Sequence, residues 1–442
     1  MKIRSLLIAT FVFAGLAGFL YWSDHHKSSA EAAKPDADAA PSILKLDETS
    51  ITKLELKKKD APPILLTKNG SDWKIIEPKS LPADQATVSS LLSTISSLDS
   101  DRLVEDKSSV LARYGLASPA FELAVTEKDS KTERLLLGDD TPSGSGVYAA
   151  LAGDPRVFTI ATYRKTSLDK TLNDLRDKRL LTVSADKVSR LEIAGKNGEI
   201  EFGHNKDEWQ ILKPKPMRAD TFAVSELVRK LTDAHMDLSS SDKSATESES
   251  AFAKDLAVAT LKLTDESSTQ QLQIRKAKDL YYAKSSLVEG AYKIDSSLAD
   301  AVDKKVEDFR SKKLFDFGYS DPSKLEIQSG PKTYSLMRGG QDWWDNGKKM
   351  DEESVRSLVS NLRDLSADKF VDSGFTTPAI EATVTSDNAK RVERVQISKS
   401  GSNYIAKREN DPTLYQVTTT AVDEMQKTID GLKPAPPPRP GK

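Results

Sequence analysis

Apolar positions along this chain switch between a strand period and a helix period, and the switches recur. A Leu-Glu-aliphatic triplet stands at Leu54-Glu55-Leu56, Leu191-Glu192-Ile193 and Leu325-Glu326-Ile327, and each is followed 16 to 19 residues later by Trp73, Trp209 or Trp343. Such alternation places successive side chains on opposite faces of a strand, so Glu55, Glu192 and Glu326 are expected on the solvent face. Eleven residues beyond the first two tryptophans stand Asp84 and Asp220, and the period then becomes helical: Val88, Leu91, Leu92, Ile95 and Val224, Leu227, Val228, Leu231. The third copy is three residues shorter here and reads Asp351, then Val355, Leu358, Val359, Leu362. A carboxylate at such a position accepts backbone N–H bonds and suits the positive end of the helix dipole, so Asp84, Asp220 and Asp351 mark where each helix begins.

The far end of each copy repeats as well. From Phe158, Tyr292 and Tyr415, apolar residues recur at offsets of 2, 10, 14 and 17, giving Ile160, Leu168, Leu172, Leu175; Ile294, Val302, Val306, Phe309; and Val417, Met425, Ile429, Leu432. The last three offsets predict a closing helix in each copy. Between the two helices lie short alternating runs, Phe121–Thr126, Arg134–Leu137, Gly146–Ala149 and Arg156–Ile160, separated by Gly138-Asp139-Asp140 and Gly153-Asp154-Pro155 as turns. Counterparts stand at Ala259–Thr264 with Gln271–Ile274, and at Glu381–Thr385 with Val392–Ile397; Gly115, Pro119 and Glu122 recur as Gly374, Pro378 and Glu381. The expected class is α+β: three tandem repeats of a mainly antiparallel β-sheet domain with two helices each, over residues 45–182, 183–316 and 317–433.

The ends read differently. Lys2 and Arg4 precede an uncharged run from Leu6 to Trp22, which rises about 26 Å as a helix and predicts a transmembrane anchor over residues 1–24. The competing reading is a cleaved signal peptide with Gly15-Leu16-Ala17 as its small-residue site; the aromatic continuation through Phe19-Leu20-Tyr21-Trp22 favours the anchor. Positive charge before the run places the bulk of the chain outside the cytoplasm, on a single-pass anchor in the bacterial inner membrane. Residues 25–44 read as a flexible tether, and 434–442 as a proline-rich tail outside any folded core.

Composition narrows the function. Sixty-five Lys and Arg against 67 Asp and Glu leave no basic field for nucleic acid. The absence of cysteine excludes disulfides, thiolate catalysis and Cys-ligated metals. The four histidines, His25, His26, His204 and His235, fall in no metalloprotease, hydrolase or nucleotide-binding motif, so no catalytic residue, metal or cofactor is expected. Asp139-Asp140 reads as turn chemistry. The candidate ligand or partner surface is the set Trp73, Trp209, Trp343 and Trp344, as a repeated stacking platform for a glycan or peptide; the competing role is core packing against the following helix. Trp343 and Trp344 are neighbours on a strand, so one of them faces away from the core. Ser239–Ser250 is expected as an exposed loop.

Four segments together, Trp73-Lys74-Ile75-Ile76-Glu77-Pro78, Tyr114-Gly115-Leu116-Ala117-Ser118-Pro119, Leu135-Leu136-Leu137-Gly138-Asp139 and Leu175-Arg176-Asp177-Lys178-Arg179-Leu180-Leu181, resemble the bacterial family known as domain of unknown function 4340. The resemblance spans most of residues 45–433 and departs at Trp344–Gly347. It implies an N-terminal membrane segment, repeated α+β units and an envelope role beside ABC-type transporter permeases or gliding-motility components, with no catalytic residues to carry over. The functional expectation is a non-enzymatic scaffold or adaptor whose partners are the membrane and other envelope or transporter proteins. A glycan- or peptide-binding module and an envelope hydrolase are the alternatives.

Overall fold

The computed structural model describes residues 41–205, 208–239, 252–319 and 322–437. The anchor over residues 1–24, the tether as far as residue 40 and nearly all of the loop expected at Ser239–Ser250 lie outside the described residues. Among the described residues no helix is long and apolar enough to cross a membrane. The chain divides into two compact units, one ending at Lys178 and one beginning at Arg179.

In the first unit, Ile51–Lys58, Ile64–Asn69 and Asp72–Glu77 form a meander that ends on the short edge strand Leu81–Pro82. The Gln85–Ser96 helix then crosses back, and Phe121–Glu127 pairs antiparallel with Ile51–Lys58 on its free side. Thr132–Asp140, Gly146–Leu151 and Val157–Ala161 extend the sheet, and Arg102–Glu105 closes its far edge. The Leu-Glu-Leu strand is therefore central: Leu54 faces Leu66 on one neighbour and Val125 on the other. Alternation sends Leu54 and Leu56 into the core, and the register shift between Ile51 and Lys53 buries Ile51 as well, while Glu55 turns outward and pairs with Lys57 at 3.0 Å.

The second unit holds two further sheets that repeat the order of the first eight strands; Lys369–Val371 closes the far edge of the later one, and in the earlier one Asp237 only bridges Lys293. One is built on Arg190–Gly195, flanked by Gly198–Asn205 and Leu256–Thr264; the other on Lys324–Ser329, flanked by Lys332–Gly339 and Pro378–Ser386. The class is α+β with antiparallel sheets, and each large sheet carries the same crossing helix, Gln85–Ser96, Thr221–Thr232 or Glu352–Asp364. The buried residues of these helices are the four apolar positions named above in each case. Asp84, Asp220 and Asp351 are their N-caps, accepting from the N–H of Thr87, Ala223 and Ser354 at 2.7, 3.0 and 3.0 Å. Glu122 and Glu381 likewise occupy matching sites, each paired with an arginine of the next strand, Arg134 or Arg394.

Five expectations are corrected. The end of the tether is ordered: Ser42–Lys45 is a strand paired with Ser97–Asp99, because Ile43 and Leu44 are apolar and buried. Gly138-Asp139-Asp140 is strand rather than turn, carrying the register shift opposite Val147–Ala149. The closing helix is broken in two of the three copies. Thr162–Leu168 stops at Asp169, and the capping box of Thr171 with Asp174 starts a new turn at Leu172–Leu175; Ser296–Val302 is followed by a 3-10 turn at Val306–Phe309. Only Thr419–Asp430 runs through. The boundaries at 183 and 317 fall too late, since Leu180 and Leu181 pack in the second core, and Leu314 and Phe315 in the third. The tail, finally, begins inside the fold: Pro434 bridges Met350, and the N–H of Ala435 donates to Lys349 O at 2.9 Å.

Candidate functional site

Each large sheet is preceded by a leader: Ser42-Ile43-Leu44, Arg179-Leu180-Leu181-Thr182 and Lys313-Leu314-Phe315-Asp316. The last two are held alike within the second unit. Leu180 N–H donates to Ala234 O and Leu314 N–H to Leu365 O, at 2.9 and 3.0 Å. Ser285 Oγ donates to Leu180 O and Arg408 Nη1 to Leu314 O. Thr182 N–H donates to Gln270 Oε1 at 2.8 Å, and Asp316 N–H to Glu393 Oε1 at the same distance. The backbone scheme is shared, but a neutral trio, Thr182, Gln270 and Ser285, becomes the ionic trio Asp316, Glu393 and Arg408 in the third sheet.

The ionic trio reaches the second sheet. Arg218, on the edge strand Met217–Arg218, donates to Lys313 O at 2.8 Å, to Tyr415 Oη at 3.2 Å and to Asp316 Oδ2. Arg391 donates to Asp316 O at 2.7 Å and to Glu208 of the tryptophan strand. Arg408 bonds Glu393 at 3.0 Å. Burial pushes the Glu393 carboxyl above the usual carboxylate range and pushes the Tyr415 hydroxyl up. Burial opposes the charge of Asp411 too, but the bonds it accepts from Tyr415 and Thr413 hold its carboxyl below the usual range. Beside this network opens a cleft of about 540 Å³ lined by Trp209, Arg218, Phe222, Phe315, Asp316 and Arg363. Acids and arginines in the network neutralise one another, an arrangement suited to holding two surfaces together.

The tryptophans are not gathered. Trp73, Trp209 and Trp343 are 5, 4 and 6 % exposed and belong to three separate cores, so their rings offer no open stacking face. The reason is the strand alternation itself, which turns each ring toward the following helix: Gln85 clasps the Trp73 backbone at 2.8 and 2.9 Å, and Trp209 N–H donates to Thr221 Oγ1 at 3.2 Å. A basic side chain, Lys68, His204 or Arg338, stands opposite each ring, and His204 stacks on Trp209 with centroids 4.6 Å apart. Trp344 alone of the four is open, at 39 %, in register with the exposed Met337.

The arginine network escaped the sequence reading because its partners lie 98 and 183 residues apart. The available signal was the leader alignment, in which Thr182 gives way to Asp316.

No curated protein and no solved structure matches this chain. A family model, domain of unknown function (DUF4340), matches residues 73–212 and 209–389, and both matches open at a repeated tryptophan. Together they cover well over half of the sequence, and the chain belongs to the DUF4340 family.

Proposed function

We propose that this protein is a non-enzymatic scaffold or adaptor: a single-pass anchor followed by three copies of one α+β unit on the outer side of the bacterial cytoplasmic membrane, accessory to an ABC-type transporter or another envelope complex. The observation that carries this reading is the tandem array of three sheets with one order over eight strands. Repetition of a folded unit extends surface, and the polar side chains at the joint of the second and third sheets bond one another. Lys2, Arg4 and the apolar run that follows support the anchor and its orientation. The resemblance to that family implies the envelope setting.

A second reading, a glycan- or peptide-binding module, is favoured by Trp344, whose ring is partly open beside Met337.

The test is a crosslinking pull-down of the full-length protein from membranes, with a version lacking residues 1–24 as control. Recovery of a permease or its auxiliary subunits by the anchored protein is the expected result. Enrichment of glycan or peptidoglycan fragments by both versions, lost on Trp344→Ala, would replace the adaptor with the binding module.

A further inference from the structure

We infer that the joint between the second and third sheets is an electrostatic latch, in which Arg218, Arg310 and Arg391 hold the third sheet against the second and whose release lets the two part without either unfolding.

The first ground is where the apolar cores stop. Among the described residues, the second core runs to Phe309 and the third starts at Leu314, as two separate clusters. The stretch between them is Arg310-Ser311-Lys312-Lys313. Two cores that do not merge gain less docking free energy across their joint than one continuous core would.

The second ground is what crosses it. Arg218 of the second sheet reaches Asp316 and Tyr415; Arg391 of the third reaches Glu208; and Arg310 lies over the Phe370 ring at 3.6 Å while donating to Thr413 Oγ1 at 3.3 Å. The side chains of the pairs are partly open to water, 23 and 29 % for Arg218 and Asp316, 36 and 52 % for Arg391 and Glu208. Dissolved ions reach such half-open pairs and weaken them, though less than they would fully exposed ones; the screening range is about 3 Å at 1 M salt.

The third ground is internal comparison. Thr182, Gln270 and Ser285 hold the second leader with uncharged groups, so the fold does not need ions at these positions. In the third sheet Asp316, Glu393 and Arg408 make the same backbone bonds and in addition present Asp316 to Arg218. Of these three charges Asp316 is the one that reaches across the joint, while Glu393 and Arg408 pair within the third sheet.

The chain lacks cysteine, so two can be introduced cleanly for spin labels, Ser225→Cys on the exposed side of the second crossing helix and Asp423→Cys on the third closing helix. In the full chain at low salt, electron–electron distance measurement is expected to give one narrow distribution. Raising salt to about 1 M, or introducing Arg218→Glu with Arg391→Glu, is expected to broaden and lengthen it, with far-ultraviolet circular dichroism unchanged. Adding Glu208→Arg to Arg391→Glu restores that pair with reversed sign, and is expected to narrow the distribution relative to Arg391→Glu alone. A distribution that stays narrow at high salt in the otherwise unaltered chain would overturn the latch, and that arm requires no charge variant to fold.

Discussion

At the scale of single residues, identical residue types take different roles according to which strand face they occupy. Trp209 is 4 % exposed and Trp344 is 39 % exposed, so truncation should separate them sharply. Trp209→Ala is expected to cost roughly 3–5 kcal/mol through the cavity it leaves, and Trp344→Ala about 0.5 kcal/mol, measured as shifts in urea midpoint. Asp237 provides a pH handle. Ser239, through its side chain and its N–H at 3.0 Å, and then Lys293 at 3.1 Å, draw its carboxyl from 3.8 down to about 2. A carboxyl lowered on folding adds stability that is complete above about pH 4 and is lost as pH falls through about 2. With the side chain one-third exposed, solvent screening leaves about 1 kcal/mol of the nominal amount. Asp237→Asn should therefore melt lower than the unaltered protein at pH 6, and the gap in Tm should close as pH falls toward 2.5.

At the scale of elements, one contact explains two of the family-like segments. Gly115, at φ +70°, closes the turn after Tyr114, and Gly138 lies against it so closely that an added Cβ would stand 2.0 Å from Tyr114 O. Tyr114-Gly115 and Gly138-Asp139 are thus two halves of one packed contact. Gly138→Ala should destabilise the first unit by about 1–3 kcal/mol and speed amide exchange at Gly115 and Leu116, read by hydrogen-exchange mass spectrometry. The crossing helices were legible because a buried stripe and an Asp cap both point to one conformation. The closing helices were legible only as a face. Leu168 and Leu175 are buried at helical spacing, yet Thr171 and Asp174 break the chain between them, since periodicity reports what is buried and not whether the backbone runs straight.

At the scale of the whole molecule, the leaders decide where a unit begins. Leu180 and Leu181 are fully buried in the second core although they precede its first large strand. A fragment of residues 179–437 is expected to fold, while in one starting at residue 183 the second core should lose roughly 4 kcal/mol or more, measured by chemical denaturation of both. A fragment of residues 41–178 should melt on its own, because its core is contributed wholly by its own residues.

What the sequence determined by itself is the repeat, the α+β class, the three crossing helices with their Asp caps, and the inward set of strand residues. These are local: they follow from the spacing of apolar side chains and from which groups can satisfy a helix end. Tertiary structure alone decided that Trp344 is the open ring, that Gly138 belongs to a strand, and that Arg218 and Arg391 meet Asp316 and Glu208. Those depend on which segments the sheet order brings together across 98 and 183 residues of chain, and a charge carries no record in sequence of the partner it will neutralise.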